Sequence, residues 1–170
     1  MIFKEIRFIL LVIIALSLNS CGLYSLSGVT IPDNIKTFQV DYFGYQAVLV
    51  EPGLERDFTL ALQDLINDQS RLSLTPRNGD YIYQGEITRF YIAPMTATAD
   101  SRAAQNRVTL EVNLRFTNTK DEEESFEKKY SFFYDYDANA QLQGSTLETA
   151  KEVLFEQITQ DIFNDTLAKW

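Results

Sequence analysis

Histidine is absent from this 170-residue chain, and cysteine occurs once, at Cys21. A Ser-His-Asp or Cys-His catalytic unit needs an imidazole base, so neither can be assembled. The usual zinc, copper and haem constellations, built on His and Cys, are excluded with it. A single cysteine forms no intramolecular disulfide, so a folded domain must be held by its core. With 7 Gly and 4 Pro, the chain has no low-complexity stretch and no internal repeat. Positive charge is also short: 15 Lys and Arg stand against 24 Asp and Glu, a net charge of −9. Nucleic-acid affinity comes from neutralising phosphates, so no nucleic-acid partner is expected.

What is present begins with an address. Lys4 and Arg7 precede an uninterrupted apolar stretch, FILLVIIALSL, over residues 8–18, followed by Asn19, Ser20 and Cys21. Charge, apolar run and small residue come in the order of a secretory signal peptide. The apolar run is shorter than the roughly 20 residues of a membrane span. Leu18-Asn19-Ser20-Cys21 resembles the bacterial lipobox, with Asn19 in place of the usual small or apolar residue. The expectation is a signal peptide over 1–20 and lipid attachment at Cys21. An ordinary signal peptide with a chance Cys, or an uncleaved anchor, is the other reading. Cleavage would remove two basic residues and one acidic residue, taking the net charge from −9 to −10.

Residues 21–34 read as a lipidated tether, and 35–170 fit one domain by the usual size prior. The chain is 45% hydrophobic, enough for a real core, and 13% aromatic, which points toward a sheet. In 35–43, Phe38, Val40 and Tyr42 alternate with Thr37, Gln39 and Asp41, a strand pattern. Residues 52–68 read as a helix, with Pro52 in its first turn and Leu54, Phe58, Leu62 and Ile66 on its apolar side. Arg71-Leu72-Ser73-Leu74 reads as a short strand or an extended lead-in. Three strand-like stretches follow at 81–92, 107–117 and 125–136, the middle one alternating without a break. Residues 145–168 read as a second helix, with Ser145 and Glu148 as a capping box. The order β-α-β-β-β-α predicts an α+β two-layer sandwich: a mainly antiparallel four-stranded sheet covered by two helices.

Several segments resemble the LptE family of lipopolysaccharide-transport lipoproteins. They include Cys21-Gly22-Leu23-Tyr24-Ser25, Gly85-Glu86-Ile87-Thr88, Ala104-Gln105-Asn106-Arg107-Val108-Thr109, Phe116-Thr117-Asn118-Thr119-Lys120 and Asp161-Ile162-Phe163-Asn164. The likeness runs from Cys21 to Trp170 and lies in the order and spacing of the pieces. The resemblance implies a sheet packed against two helices, seated as a plug inside a large outer-membrane β-barrel, LptD. It implies a non-enzymatic role in barrel assembly and in delivering lipopolysaccharide to the outer leaflet. The expected partners are thus an LptD-like barrel, lipopolysaccharide and the membrane through the lipid anchor. The expected location is the periplasm-facing side of the outer membrane. No cofactor or metal is expected. A periplasm-facing lipoprotein carrying an apolar cargo in another envelope pathway is the alternative.

Arg89, Arg102 and Arg107 bracket the 93–106 loop, and a guanidinium fork matches phosphate geometry. They are candidate contacts to lipopolysaccharide or a barrel wall; salt bridges to Glu86 or Glu111 are the plainer expectation. On the 125–136 strand, Tyr130, Phe132, Tyr134 and Tyr136 read as a core face, with a lipid-binding surface as the other reading and Tyr81, Tyr83 and Tyr91 open in the same way; Phe133 interrupts the polar side as a further candidate contact. Asp135 and Asp137, two apart, are a carboxylate pair of the kind used in general acid–base work. The carboxylate-rich 121–124 loop lacks EF-hand ligand spacing and reads as solvated surface.

Overall fold

The computed structural model describes residues 31–95 and 104–168. The expected leader, Cys21 and Arg102 lie outside the described residues. The elements are β1 (Thr37–Val40), β2 (Gly44–Tyr45), α1 (Leu54–Gln69), β3 (Ser73–Leu74), β4 (Tyr81–Met95), β5 (Gln105–Asn118), β6 (Phe126–Asp137) and α2 (Ser145–Leu167). The class is α+β, as expected, but the sheet has six strands and is mixed. Its order is β3-β1-β4-β5-β6, with β2 also paired to β4. β1 runs parallel to β3 and β4, because the chain returns from β1 through α1 before entering β4. The long strands β4, β5 and β6 form consecutive antiparallel pairs. β3 realises the short-strand reading of 71–74, whereas β2 is unforeseen; each is two residues long.

β5 lies between two strands, and its alternation is correspondingly clean. Val108, Leu110, Val112, Leu114 and Phe116 are all buried against the helices. The expected strand over 35–43 stops earlier, at Val40. Tyr42 is 62% exposed, and Phe43 turns inward instead. Phe43 fits because Gly85 lies beneath it: a Cβ on Gly85 would sit 2.6 Å from the Phe43 ring and 2.3 Å from the Asn113 carbonyl oxygen.

Both helices cap differently from expectation. α1 begins at Leu54, after Gly53 in the left-handed region (φ 85°), so Pro52 precedes the helix. At α2, the N-cap is Gly144 and no side-chain cap forms. The Glu148 N–H donates to the Gly144 carbonyl, and the Glu148 carboxylate accepts from Lys151, so the Ser145–Glu148 box is not made.

α1 contributes Leu54, Phe58, Leu62 and Ile66 to the core, and α2 contributes Ala150, Leu154, Ile158 and Ile162. Phe58 joins the layers edge-on, 5.1 Å from Phe43 and 5.5 Å from Phe155. The buried Tyr83 hydroxyl bonds Thr166 Oγ1 at 3.1 Å, tying β4 to the end of α2. Burial pushes the Tyr83 hydroxyl far up from its ordinary pKa, so it stays neutral. Lys151 of α2 pairs with Asp57 of α1 at 3.0 Å. Ile31 and Ile35, ahead of β1, are buried in the same core.

Candidate functional site

The helices cover one face of the sheet, and its other face is open. The upper half of that face is set by a bulge in β4, where the register with β5 shifts between Ile87 and Arg89. Without it, Arg89 and Tyr91 would keep the parity of Tyr81 and Tyr83, whose side chains are in the core. The shift instead sends Phe90 inward and places Arg89 and Tyr91 outside.

A three-by-three grid results across β4, β5 and β6. Arg89, Glu111 and Ser131 form one row; Tyr91, Thr109 and Phe133 the next; Ala93, Arg107 and Asp135 the third. Arg107 lies 3.5 Å above the Phe133 ring and Arg89 lies 4.7 Å above the Tyr91 ring, both cation–π contacts. Thr109, between the two rings, is buried although it faces outward.

The two arginines are held differently. Arg107 donates from Nε and Nη2 to both oxygens of Asp135, at 2.7 and 2.8 Å. That fork holds the Asp135 carboxyl below the usual carboxylate range and raises the Arg107 guanidinium. Arg89 makes one 3.3 Å contact with Glu111, and its side chain is 61% exposed. The grid thus presents one anchored guanidinium, one more accessible guanidinium and two aromatic rings.

Three of the candidate residues, Arg89, Arg107 and Phe133, are therefore brought into one patch. Arg102 and Cys21 lie outside the described residues. Glu111 is an ion-pair partner as anticipated, but of Arg89; Glu86 accepts from Gln46, and Arg107 takes Asp135. The Arg107–Asp135 pairing could have been read from the sequence only by fixing the β5–β6 register, which rests on the turn around Asp121. There the Asp121 carboxylate accepts from the Glu123 N–H, and Asn118 bonds the Glu124 side chain. Tyr91 and Thr109 complete the patch; Tyr91, a tyrosine whose pattern left surface and core both open, faces outward, and no sequence signal marks Thr109.

Asp135 and Asp137 do not act as a pair. Asp135 is committed to Arg107, and Asp137 accepts from the backbone and side-chain N–H groups of Asn139. Among the described residues no group of three or more His, Cys, Asp or Glu is placed to hold a metal ion. No helix among them is long and apolar enough to cross a membrane. Tyr130 and Tyr136 are buried, and Phe132 and Tyr134 pack against the core, as the strand pattern implied.

An α+β domain with one packed sheet face and one open face of paired charges and aromatic rings has the build of an interaction module. The chain belongs to the LptE family, described as lipopolysaccharide-assembly, whose model matches residues 35–166. No curated protein matches the sequence. Among solved structures, a protein from Xanthomonas campestris is similar at 13% identity and a TM-score of 0.51, over 79% of this chain and 87% of that one. The PelC dodecamer from Paraburkholderia phytofirmans is similar at 5% identity and a TM-score of 0.50, over 82% of this chain and 95% of that one. Rare lipoprotein B from Shewanella oneidensis follows at 8% identity and 0.46, over 75% and 89%. At these identities the first two likenesses speak to the fold alone.

Proposed function

We propose that this protein is a non-catalytic outer-membrane lipoprotein, anchored through Cys21 and facing the periplasm. In this reading it plugs and supports assembly of an LptD-like β-barrel and assists lipopolysaccharide delivery to the outer leaflet. The observation that carries the reading is the family match across 35–166. The open-face patch adds a means of contact. Arg89 offers a guanidinium to phosphate or to a carboxylate of a barrel wall, and the rings of Tyr91 and Phe133 offer apolar surface beside it. Arg107, clamped by Asp135, keeps Phe133 in place and retains Nη1 for a partner.

The test is site-specific photocrosslinking scanned through residues 89–107 and at 133 in intact cells. Adducts to an outer-membrane barrel, to lipopolysaccharide or to both are expected, and tagged protein should co-purify with the barrel. Recovery of the protein free of any barrel, with barrel assembly normal after its depletion, would remove the reading.

A further inference from the structure

Between β2 and α1 the chain exposes three consecutive apolar side chains. Val48 is 99% exposed, Val50 71% and Leu49 40%. Such a run at a surface marks a contact that water does not satisfy. The segment is braced. The Tyr45 hydroxyl donates to the Leu49 carbonyl oxygen and accepts from the Glu51 N–H at 3.3 Å, so one side chain holds the backbone on either side of Val50. Ala47, just before it, is buried, which ties the base of the tip to the core. The valines are presented on a fixed base, which lowers the ordering cost of docking them.

The surroundings decide what the tip fits. Glu51 follows it directly, and Glu55 lies in the first turn of α1, accepting from the Tyr42 hydroxyl at 3.1 Å. Arg56 is paired to Asp57, and Asp57 also to Lys151. The collar is therefore acidic. An anionic bilayer surface attracts basic segments, and this collar offers the opposite charge. A second copy would bring like charge against like, on a chain of net charge −9. The tip also sits at the N-terminal end of α1. Ile31, where the chain arrives from Cys21, is held by Arg71 just past the other end of that 16-residue helix, about 24 Å away at 1.5 Å per residue.

We infer that Val48, Leu49 and Val50 form a docking peg for a protein surface that offers an apolar socket rimmed by Lys or Arg. This rests on the proposed reading only for the identity of the partner, which is then the barrel, contacted at a point separate from the Arg89–Phe133 patch. The peg supplies burial, and the collar supplies orientation through opposite charge.

The experiment uses the full-length lipoprotein in cells, with a photocrosslinking residue at 48 or 50. The expected adduct is with the barrel, at a peptide that is apolar and flanked by Lys or Arg. In parallel, Val48→Asp with Val50→Asp should reduce barrel recovery about tenfold or more, since a charge would be buried in an apolar socket. Glu51→Lys with Glu55→Lys should also reduce it, with a weakened dependence on salt. Val48→Ser with Val50→Ser serves as a folding control, because both side chains are solvent-exposed and unfolding should occur at the wild-type temperature. Adducts only to lipid or to a second copy, or no adduct, would overturn the peg. So would full barrel recovery by the aspartate variant. Failure of wild-type protein to co-purify with any barrel would instead remove the proposed function, and the peg with it unless residue 48 crosslinks an identified protein at a basic-rimmed apolar site.

Discussion

Asp80 shows how much one carboxylate can organise in a chain whose single cysteine forms no intramolecular disulfide. It sits in the turn before β4, yet its Oδ2 accepts from the Lys36 N–H at 2.9 Å, the Thr37 N–H at 3.1 Å and the Thr37 hydroxyl at 3.0 Å. Its Oδ1 pairs with Lys120 at 3.1 Å, and its own N–H donates to Thr37 Oγ1. One side chain thereby fixes the start of β1, the start of β4 and the β5–β6 turn. The backbone N–H of Lys36, then the side chains of Lys120 and Thr37, hold this carboxyl well below the usual range against the opposing effect of burial. A depressed folded-state pKa stabilises the protein above the unfolded value, about pH 4, and that contribution is lost as pH falls toward the folded value. Asp80→Asn should therefore cost about 1–3 kcal/mol at neutral pH. The deficit should shrink as pH falls below about 4. Urea midpoints of both proteins between neutral pH and acid check this; a deficit that stays constant with pH would show that charge is not what matters at Asp80.

At the scale of elements, the long periodic segments were legible and the short ones were not. The alternation of β5 and the helical spacings of α1 and α2 survive because each buries a whole face in one core. β2 escapes because two residues carry no period, and its pairing with β4, like that of β3 with β1, is set by tertiary contact. The inward turn of Phe43 escapes for a related reason. Its pocket depends on Gly85, forty-two positions away, being without a side chain. The same holds for the Arg89–Phe133 patch. Its residue types were visible, but the bulge at Ile87/Arg89 that aims them outward was not. Gly85→Ala tests the packing directly. The new methyl would lie 2.3 Å from a β5 carbonyl oxygen, a backbone atom that cannot swing aside. A loss of about 1–3 kcal/mol is expected, typical of overpacking, with Phe43 displaced toward solvent. Urea unfolding measures the loss, and the Phe43 ring resonances in an NMR spectrum report the displacement. Wild-type stability with unmoved resonances would mean that this contact does not constrain the sheet.

For the whole molecule, a single cysteine leaves no intramolecular disulfide to staple the fold, and among the described residues one contiguous core extends ahead of the first strand. Ile31 is 8% exposed and Ile35 2%, both packed with the residues of α1, α2 and the sheet. Arg71, at the end of α1, donates to the Ile31 carbonyl oxygen at 2.5 Å and pairs with Asp33 at 3.2 Å. The stretch expected to be tether up to residue 34 is thus docked from Ile31 onward. Two soluble forms separate the possibilities, one beginning at residue 22 and one at residue 35. The longer should unfold in a single transition, with near- and far-ultraviolet circular dichroism coinciding, and reductant should leave its midpoint unchanged. The shorter loses the Ile31 side chain from the core and both Arg71 contacts, to the Ile31 carbonyl and to Asp33, a deficit of about 2–3 kcal/mol. For a domain of this size, that lowers the unfolding temperature by roughly 4–12 °C. Equal midpoints would show that residues 31–34 contribute nothing to folding and that the tether runs unbroken to Ile35.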